Sequence, residues 1–329
     1  MANIETSWMG LKLKNPIVAA SSGLTNSVEN IVELERSGVG AVVLKSLFEE
    51  QIANAVDHTM EQDEFANYYP EAEDYIRNYT QSNDVSIYLD LIRTSKQAVS
   101  IPIIASINCV SDSDDWVSFA KKIEQAGADG LELNIFILPS DPGKNGEDNE
   151  KIYFDIAEKV TKAVTIPVAL KVSYYFSGLA QHLTKLSWTN IKGLVLFNRF
   201  FSPDIDIETM EVKSSFVFSH PSSLAISLRW VAMLSPHVKC DIAASTGVHD
   251  STALIKQLLA GAQVIQLASV LYKKGFKEIG IMTSELEAWM DKKGFNSLED
   301  FRGKLNTSQY ENPAAYERVQ FMKHFSGIE

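Results

Sequence analysis

Four short apolar runs in this chain each stop on a polar side chain. Ala41-Val42-Val43-Leu44 ends in Lys45-Ser46, and Val168-Ala169-Leu170 ends in Lys171. Gly130-Leu131-Glu132-Leu133 ends in Asn134, and Gly193-Leu194-Val195-Leu196-Phe197 ends in Asn198. Runs of this kind are strands buried on both faces, as in parallel sheets. Lysine is rarely buried without a reason. At the C-terminal end of a barrel strand it faces the mouth where active sites are built. One lysine alone could equally snorkel to water from an edge; it is the recurrence that points to a site.

The rest of the chain supplies the units around these runs. Strands are predicted at 15–21, 41–46, 103–108, 130–134, 168–171, 193–198, 241–244 and 264–267. Helical spacing follows each, at 27–37, 85–98, 116–126, 150–163, 179–186, 223–234, 250–260 and 278–292. Eight βα units favour a parallel sheet closed into an α/β fold, the (β/α)8 TIM barrel. With 329 residues and no linker, the chain reads as one barrel domain, 1–329. Long insertions follow strand ends, which puts them at the C-terminal face: 47–83, a lid or substrate loop; 135–148; and 199–221. Residues 306–329 form a C-terminal extension whose Tyr316, Val319, Phe321 and Met322 suggest an extra amphipathic helix.

A formal net charge of -12 disfavours a nucleic-acid partner and an anionic membrane surface. No apolar run reaches the roughly 18 residues that span a bilayer. The N-terminal residues lack a signal-peptide core. The two cysteines, Cys109 and Cys240, have neither metal-type nor disulfide-type spacing. The expectation is a soluble cytoplasmic protein with a small-molecule substrate and no metal.

Lys45, Asn134, Lys171 and Asn198 are the strongest chemical constellation. Two ammonium groups and two carboxamides suit a flat ring rich in carbonyl oxygens, such as an isoalloxazine, whose reduced form a cation stabilises. A Schiff-base lysine in an aldolase is the rival reading. Ser245-Thr246-Gly247 and Ala268-Ser269, at the ends of the last two strands, suit a phosphate, as barrels commonly bind it there; they also suit ordinary helix caps. His249, beside these loops, is the histidine worth testing, and Cys109 stands at the mouth.

At these residues the chain resembles the dihydroorotate dehydrogenases, specifically the soluble class 1 enzymes. The resemblance rests on Asn15-Pro16 with Ala20-Ser21-Ser22-Gly23, Leu44-Lys45-Ser46, Ala126-Gly127-Ala128-Asp129 and Glu132-Leu133-Asn134. It continues through Leu170-Lys171-Val172, Leu259-Ala260-Gly261-Ala262 and Asp300-Phe301-Arg302-Gly303-Lys304-Leu305. It implies an FMN-dependent barrel, usually a homodimer, that oxidises dihydroorotate to orotate in pyrimidine synthesis by hydride transfer to flavin N5. It implies that Ala20, Ser21, Gly23, Lys45, Ser46, Asn134 and Lys171 hold the flavin, and that Thr246, Gly247, Ala268 and Ser269 hold its phosphate. Lys45, Asn67, Asn134 and Asn198 would hold substrate.

The sequence also departs from the family. The class 1 base is the cysteine of a Ser-Cys-Pro-Asn element after the fourth strand. Here the stretch is Ile135-Phe136-Ile137-Leu138-Pro139-Ser140, which sets Leu138 against that cysteine. Lys45, Ser140 and Cys109 are then the candidates for proton transfer. The substrate loop keeps only Asn67 of the family's pieces. Thr246-Gly247 replaces paired glycines, Ala268-Ser269 replaces Gly-Thr, and Phe216-Val217-Phe218-Ser219-His220 replaces a glycine-rich loop. These departures leave room for a flavin oxidoreductase acting on another substrate, or for a non-catalytic flavin- or ligand-binding barrel.

Overall fold

The computed structural model describes residues 2–48, 85–109, 115–199, 203–311 and 316. Strands β1 (Thr6–Trp8) and β2 (Leu11–Leu13) form an antiparallel hairpin ahead of the first barrel strand. Then come β3 (Ile17–Ala19), α1 (Val28–Arg36), β4 (Ala41–Val43), a short β5 (Leu47–Phe48), α2 (Val85–Ala98) and β6 (Ile103–Cys109). The middle of the chain holds α3 (Asp115–Gln125), β7 (Gly130–Ile135), α4 (Gly146–Ala163), β8 (Val168–Val172), α5 (Leu179–Leu186) and β9 (Gly193–Leu196). A second hairpin, β10 (Pro203–Asp206) and β11 (Glu211–Ser214), precedes α6 (Leu224–Leu234), β12 (Asp241–Ser245), α7 (Ser251–Ala260) and β13 (Val264–Leu267). Helices α8 (Ser269–Lys274) and α9 (Lys277–Lys293) follow.

Strands β3, β4, β6, β7, β8, β9, β12 and β13 pair in parallel around a ring, and β13 returns to β3. The predicted eight-stranded (β/α)8 barrel is therefore the fold.

The two-residue period of a strand divides the apolar residues between two cores. Val18, Val43, Ile104, Ala169, Val195, Ala243 and Val264 point into the barrel and pack with Trp8, Met9 and Leu13 of the first hairpin. Their neighbours, among them Ile17, Val42, Ile103, Leu131 and Leu170, pack outward under the helices. Trp8 thereby plugs the barrel. Gly193 lets it in: a Cβ there would stand 2.5 Å from the indole ring.

Local chemistry fixes the helix starts. The side chain of Asn145 accepts from the Asp148 N–H at 2.9 Å, so α4 begins at Gly146, four residues before the predicted Glu150. Asp250 caps α7 in the same way, accepting from Ala253 N–H. Gly261, at φ +116°, closes it in the left-handed conformation.

Two stretches differ from expectation. The run 199–221 is not a plain loop. Ile205 pairs with Val212, Asp206 with Glu211 and Asp204 with Lys213, so one face of the hairpin is apolar and the other charged. Helix α8 also lies where the sequence reading had only a connection to the last helix. The 47–83 insertion falls outside the described residues apart from Leu47 and Phe48; of the 306–329 extension, 306–311 and Tyr316 are described.

His182 on α5 is buried among Tyr153, Phe154 and Phe176, stacked on the last at 4.4 Å. Burial, with Lys185 adding repulsion, pulls its pKa down to about 4, although the Glu150 carboxylate stands 3.6 Å away. Between pH 6.5 and 4 the unfolded chain binds a proton here that the folded chain refuses, so stability falls as pH drops through that window. His182→Phe is expected to remove this part of the acid sensitivity. Urea midpoints of both proteins at pH 7 and 4.5 would check it.

Candidate active site

The same alternation that fills the barrel continues to its rim, where the inward residues turn polar. Two residues past Val43 is Lys45, two past Ala169 is Lys171, two past Val264 is Gln266 and two past Ala243 is Ser245. On β6, Ser106 and Asn108 succeed Ile104; on β7, Glu132 and Asn134 succeed Gly130. They surround or underlie a cavity of about 570 Å³. That is the size of an ordinary small-molecule or cofactor site.

Ala20, Ser21, Gly23, Lys45, Ser46, Asn134, Lys171, Asn198, Thr246, Gly247, Ala268 and Ser269 all line it, so the predicted cofactor residues and two of the predicted substrate carboxamides converge at one mouth. Hydroxyls knit one wall together. Ser46 N–H donates to Ser21 Oγ at 2.8 Å, and Ser46 Oγ lies 2.8 Å from Ser106 Oγ. The Asn198 carboxamide donates to the Ile135 carbonyl at 3.1 Å, which pins it beside β7.

Past the end of β12, Thr246 has φ +72° and Gly247 φ +85°. Thr246 thus holds the left-handed backbone that glycine adopts freely and a β-branched residue resists. The turn survives the substitution, and the Thr246 hydroxyl donates to the Phe197 carbonyl at 3.3 Å. Gly247 itself is obligatory, because a Cβ would come within 2.2 Å of Leu224 N. Across the turn, Ser269 Oγ accepts from Ser219 N–H at 3.0 Å at the start of α8. His249 does not line the cavity. It is buried behind this loop, with Nε2 3.0 Å from Ser219 Oγ.

Lys45 is only 7% exposed, and desolvation lowers its pKa to about 8. Lys171 stands 3.8 Å from Glu132 Oε1 and donates to Gln266 Oε1 at 3.4 Å. Asn108 Oδ1 and Asn134 Oδ1 are buried without a hydrogen-bond partner among the described residues. Orphaned acceptors of this kind cost about 1–3 kcal/mol each. Ammonium donors beside spare acceptors suit a ring that carries both carbonyl and N–H groups, and the residues present therefore fit a flavin.

The three candidates for proton transfer separate. Lys45 lines the cavity. Ser140 is exposed and away from the lining; its N–H donates to the Leu138 carbonyl at 2.8 Å. Cys109 ends β6 opposite Ile135, but its side chain is outside the described set, as is Asn67. Leu138 is exposed, while Phe136 lines the cavity.

Sequence reasoning missed Asn108, Gln266, Phe136, Arg199 and Tyr272 among the lining residues. For Gln266 a signal was available: one polar side chain inside the run Val264-Ile265-Gln266-Leu267. Tyr272 had none, since its hydroxyl reaches Gly23 only through the packing of α8.

Fold and cavity together define a (β/α)8 barrel whose rim gathers lysines, carboxamides and hydroxyls around one cavity. Residues 3–290 match the family model described as dihydroorotate dehydrogenase. Among curated relatives, the chain is 26% identical over 311 residues to the dihydroorotate dehydrogenase B (NAD(+)) catalytic subunit of Thermoplasma acidophilum, covering 92% of this chain and 99% of the relative. It is 26% identical over 328 residues to dihydroorotate dehydrogenase A (fumarate) of Lactococcus lactis, with the same shares covered. It is 24% identical over 324 residues to dihydroorotate dehydrogenase (fumarate) of Lachancea kluyveri, covering 93% and 99%. The chain belongs to the dihydroorotate dehydrogenase family.

Burying the Lys45 ammonium costs stability wherever the group is charged. Below pH 8 both the folded and the unfolded chain carry the proton; between pH 8 and 10.5 only the unfolded chain does, so stability rises with pH across that interval. In cofactor-free protein, wild type is expected to gain stability relative to Lys45→Met as pH rises from 8 to 10.5, and denaturant melts at both pH values would measure it.

Proposed function

We propose that the chain is an FMN-dependent oxidoreductase that oxidises dihydroorotate to orotate, a step of pyrimidine biosynthesis. One observation carries the reading: two lysines and four carboxamides, Asn108, Asn134, Asn198 and Gln266, meet at a single rim with the hydroxyl-bearing turns of Thr246 and Ser269. Ala20, Ser21, Gly23 and Ser46 would bound the flavin edge, with Lys45, Lys171 and Asn134 at its polar atoms. Thr246, Gly247, Ala268 and Ser269 would bind the phosphate. Asn198, Asn134 and Lys45 would orient substrate; Asn67 is assigned the same task on resemblance alone. When bound, FMN supplies the hydride acceptor.

This chain's residues must then remove the accompanying proton. The 135–140 segment brings no cysteine to the cavity. Lys45 is the group we assign as general base: it lines the cavity, and its pKa of about 8 leaves part of it neutral near physiological pH. Ser140 and Cys109 are the other candidates, and Ser140 would have to move inward to serve. Phe136 on the cavity wall favours a second reading, a flavin oxidoreductase whose substrate ring is more apolar than dihydroorotate.

Anaerobic stopped-flow separates these. Dihydroorotate should bleach the yellow protein, with a rate that rises toward a limb near pH 8. Lys45→Ala should lose about 10²–10⁴ in that rate. A yellow protein that dihydroorotate fails to bleach keeps FMN and rejects the substrate.

We also propose a cytoplasmic homodimer. Ile205, Ile207, Met210 and Val212 present an apolar hairpin face, with Ile207 80% and Met210 86% exposed. Exposed apolar patches of this kind mark interaction surfaces. A second copy can cover it by a two-fold contact. Light scattering should give twice the chain mass for wild type and the single-chain mass for the Ile207→Asp, Val212→Asp variant. A monomeric wild type removes the dimer.

A further inference from the structure

Beneath the cavity floor lies a buried acid that the proposed reaction does not use. Glu132 is 1% exposed and sits two residues before Asn134 on the inward face of β7. Its Oε2 accepts from Gln266 Nε2 at 2.5 Å. Gln266 in turn accepts from Lys171 Nζ at 3.4 Å. Oε1 has no hydrogen-bond partner among the described residues and stands 3.8 Å from the Lys171 ammonium. Three strands, β7, β8 and β13, thus each send one side chain to a single buried cluster.

Burying a carboxylate is costly, and a barrel interior offers cheaper apolar fillers, as the layer below it demonstrates with Ile104, Ala169 and Val195. The arrangement makes electrostatic sense if the charge on Lys171 has to be limited. A lone cation at the rim would strongly favour the extra negative charge that a flavin ring gains on reduction. A carboxylate 3.8 Å from that cation offsets part of its field. The amide of Gln266 holds both partners, so neither can turn away.

We propose that Glu132 is a positioning residue that sets the reduction potential of the bound flavin, acting through Gln266 and Lys171. The inference rests on the flavin reading above. Removing the carboxylate leaves Lys171 uncompensated and raises the potential. Removing Lys171 instead leaves Glu132 uncompensated and lowers it. Removing both returns the potential toward the starting value. A purely structural role for the cluster would change stability and leave these opposite signs unexplained.

The test is dye-coupled anaerobic reduction of FMN-loaded protein, read by absorbance. At a fixed dye poise, Glu132→Gln should raise the ratio of reduced to oxidised flavin about tenfold over wild type, the effect of one charge several ångströms away. Lys171→Met should lower that ratio, and the double variant should lie between them. Glu132→Ala, the second charge-removing variant, must shift the ratio in the same direction as Glu132→Gln. If both Glu132 variants bind FMN and keep the wild-type ratio, the inference is overturned while the flavin reading stands. If folded wild type takes up no FMN, both are overturned.

Discussion

Every parallel strand of a closed barrel must alternate its side chains between interior and exterior, and in this chain the function follows from that constraint. On the inward face the first residues are small or aliphatic and pack around Trp8. Two residues further on, the same register forces Lys45, Lys171, Gln266, Ser245 and Asn134 into the mouth. A shift of one residue would exchange them for Leu44, Leu170 and Leu133, and the polar rim would become a plug of leucines. The apolar core and the candidate active site are therefore two levels of one register.

That register also concentrates charge. Two lysines and a glutamate occupy the upper interior of a protein whose lower interior is apolar. Burial lowers the affinity of Lys45 for a proton, and Lys171 stands beside Glu132 and Gln266. Lys45 suits taking up and releasing a proton near neutral pH.

Much of this was legible before any coordinates. The eight strands were visible as apolar runs, and Lys45, Asn134, Lys171 and Asn198 stood at their ends; all four line the cavity. What escaped notice was non-local. The Glu132–Gln266 contact joins residues 134 apart in sequence, and nothing near either residue announces the other. The 203–214 hairpin is hard to see in the sequence, because its alternation, Asp204-Ile205-Asp206-Ile207, is short and half acidic. Thr246 looked like a lost glycine, yet its φ of +72° shows the backbone bend retained in spite of the side chain. Ser140 sat near the right place in the chain, but Phe136 takes the position on the wall.

The central claim is that the rim grips a flavin through the ammonium and carboxamide groups that strand alternation gathers there. Calorimetric titration of folded, cofactor-free protein with FMN tests it most directly. The account predicts one FMN per chain, with affinity reduced at least tenfold in a Lys45→Met, Lys171→Met double variant that remains folded. Absence of FMN binding to wild type, or equal affinity in the two proteins, would contradict it.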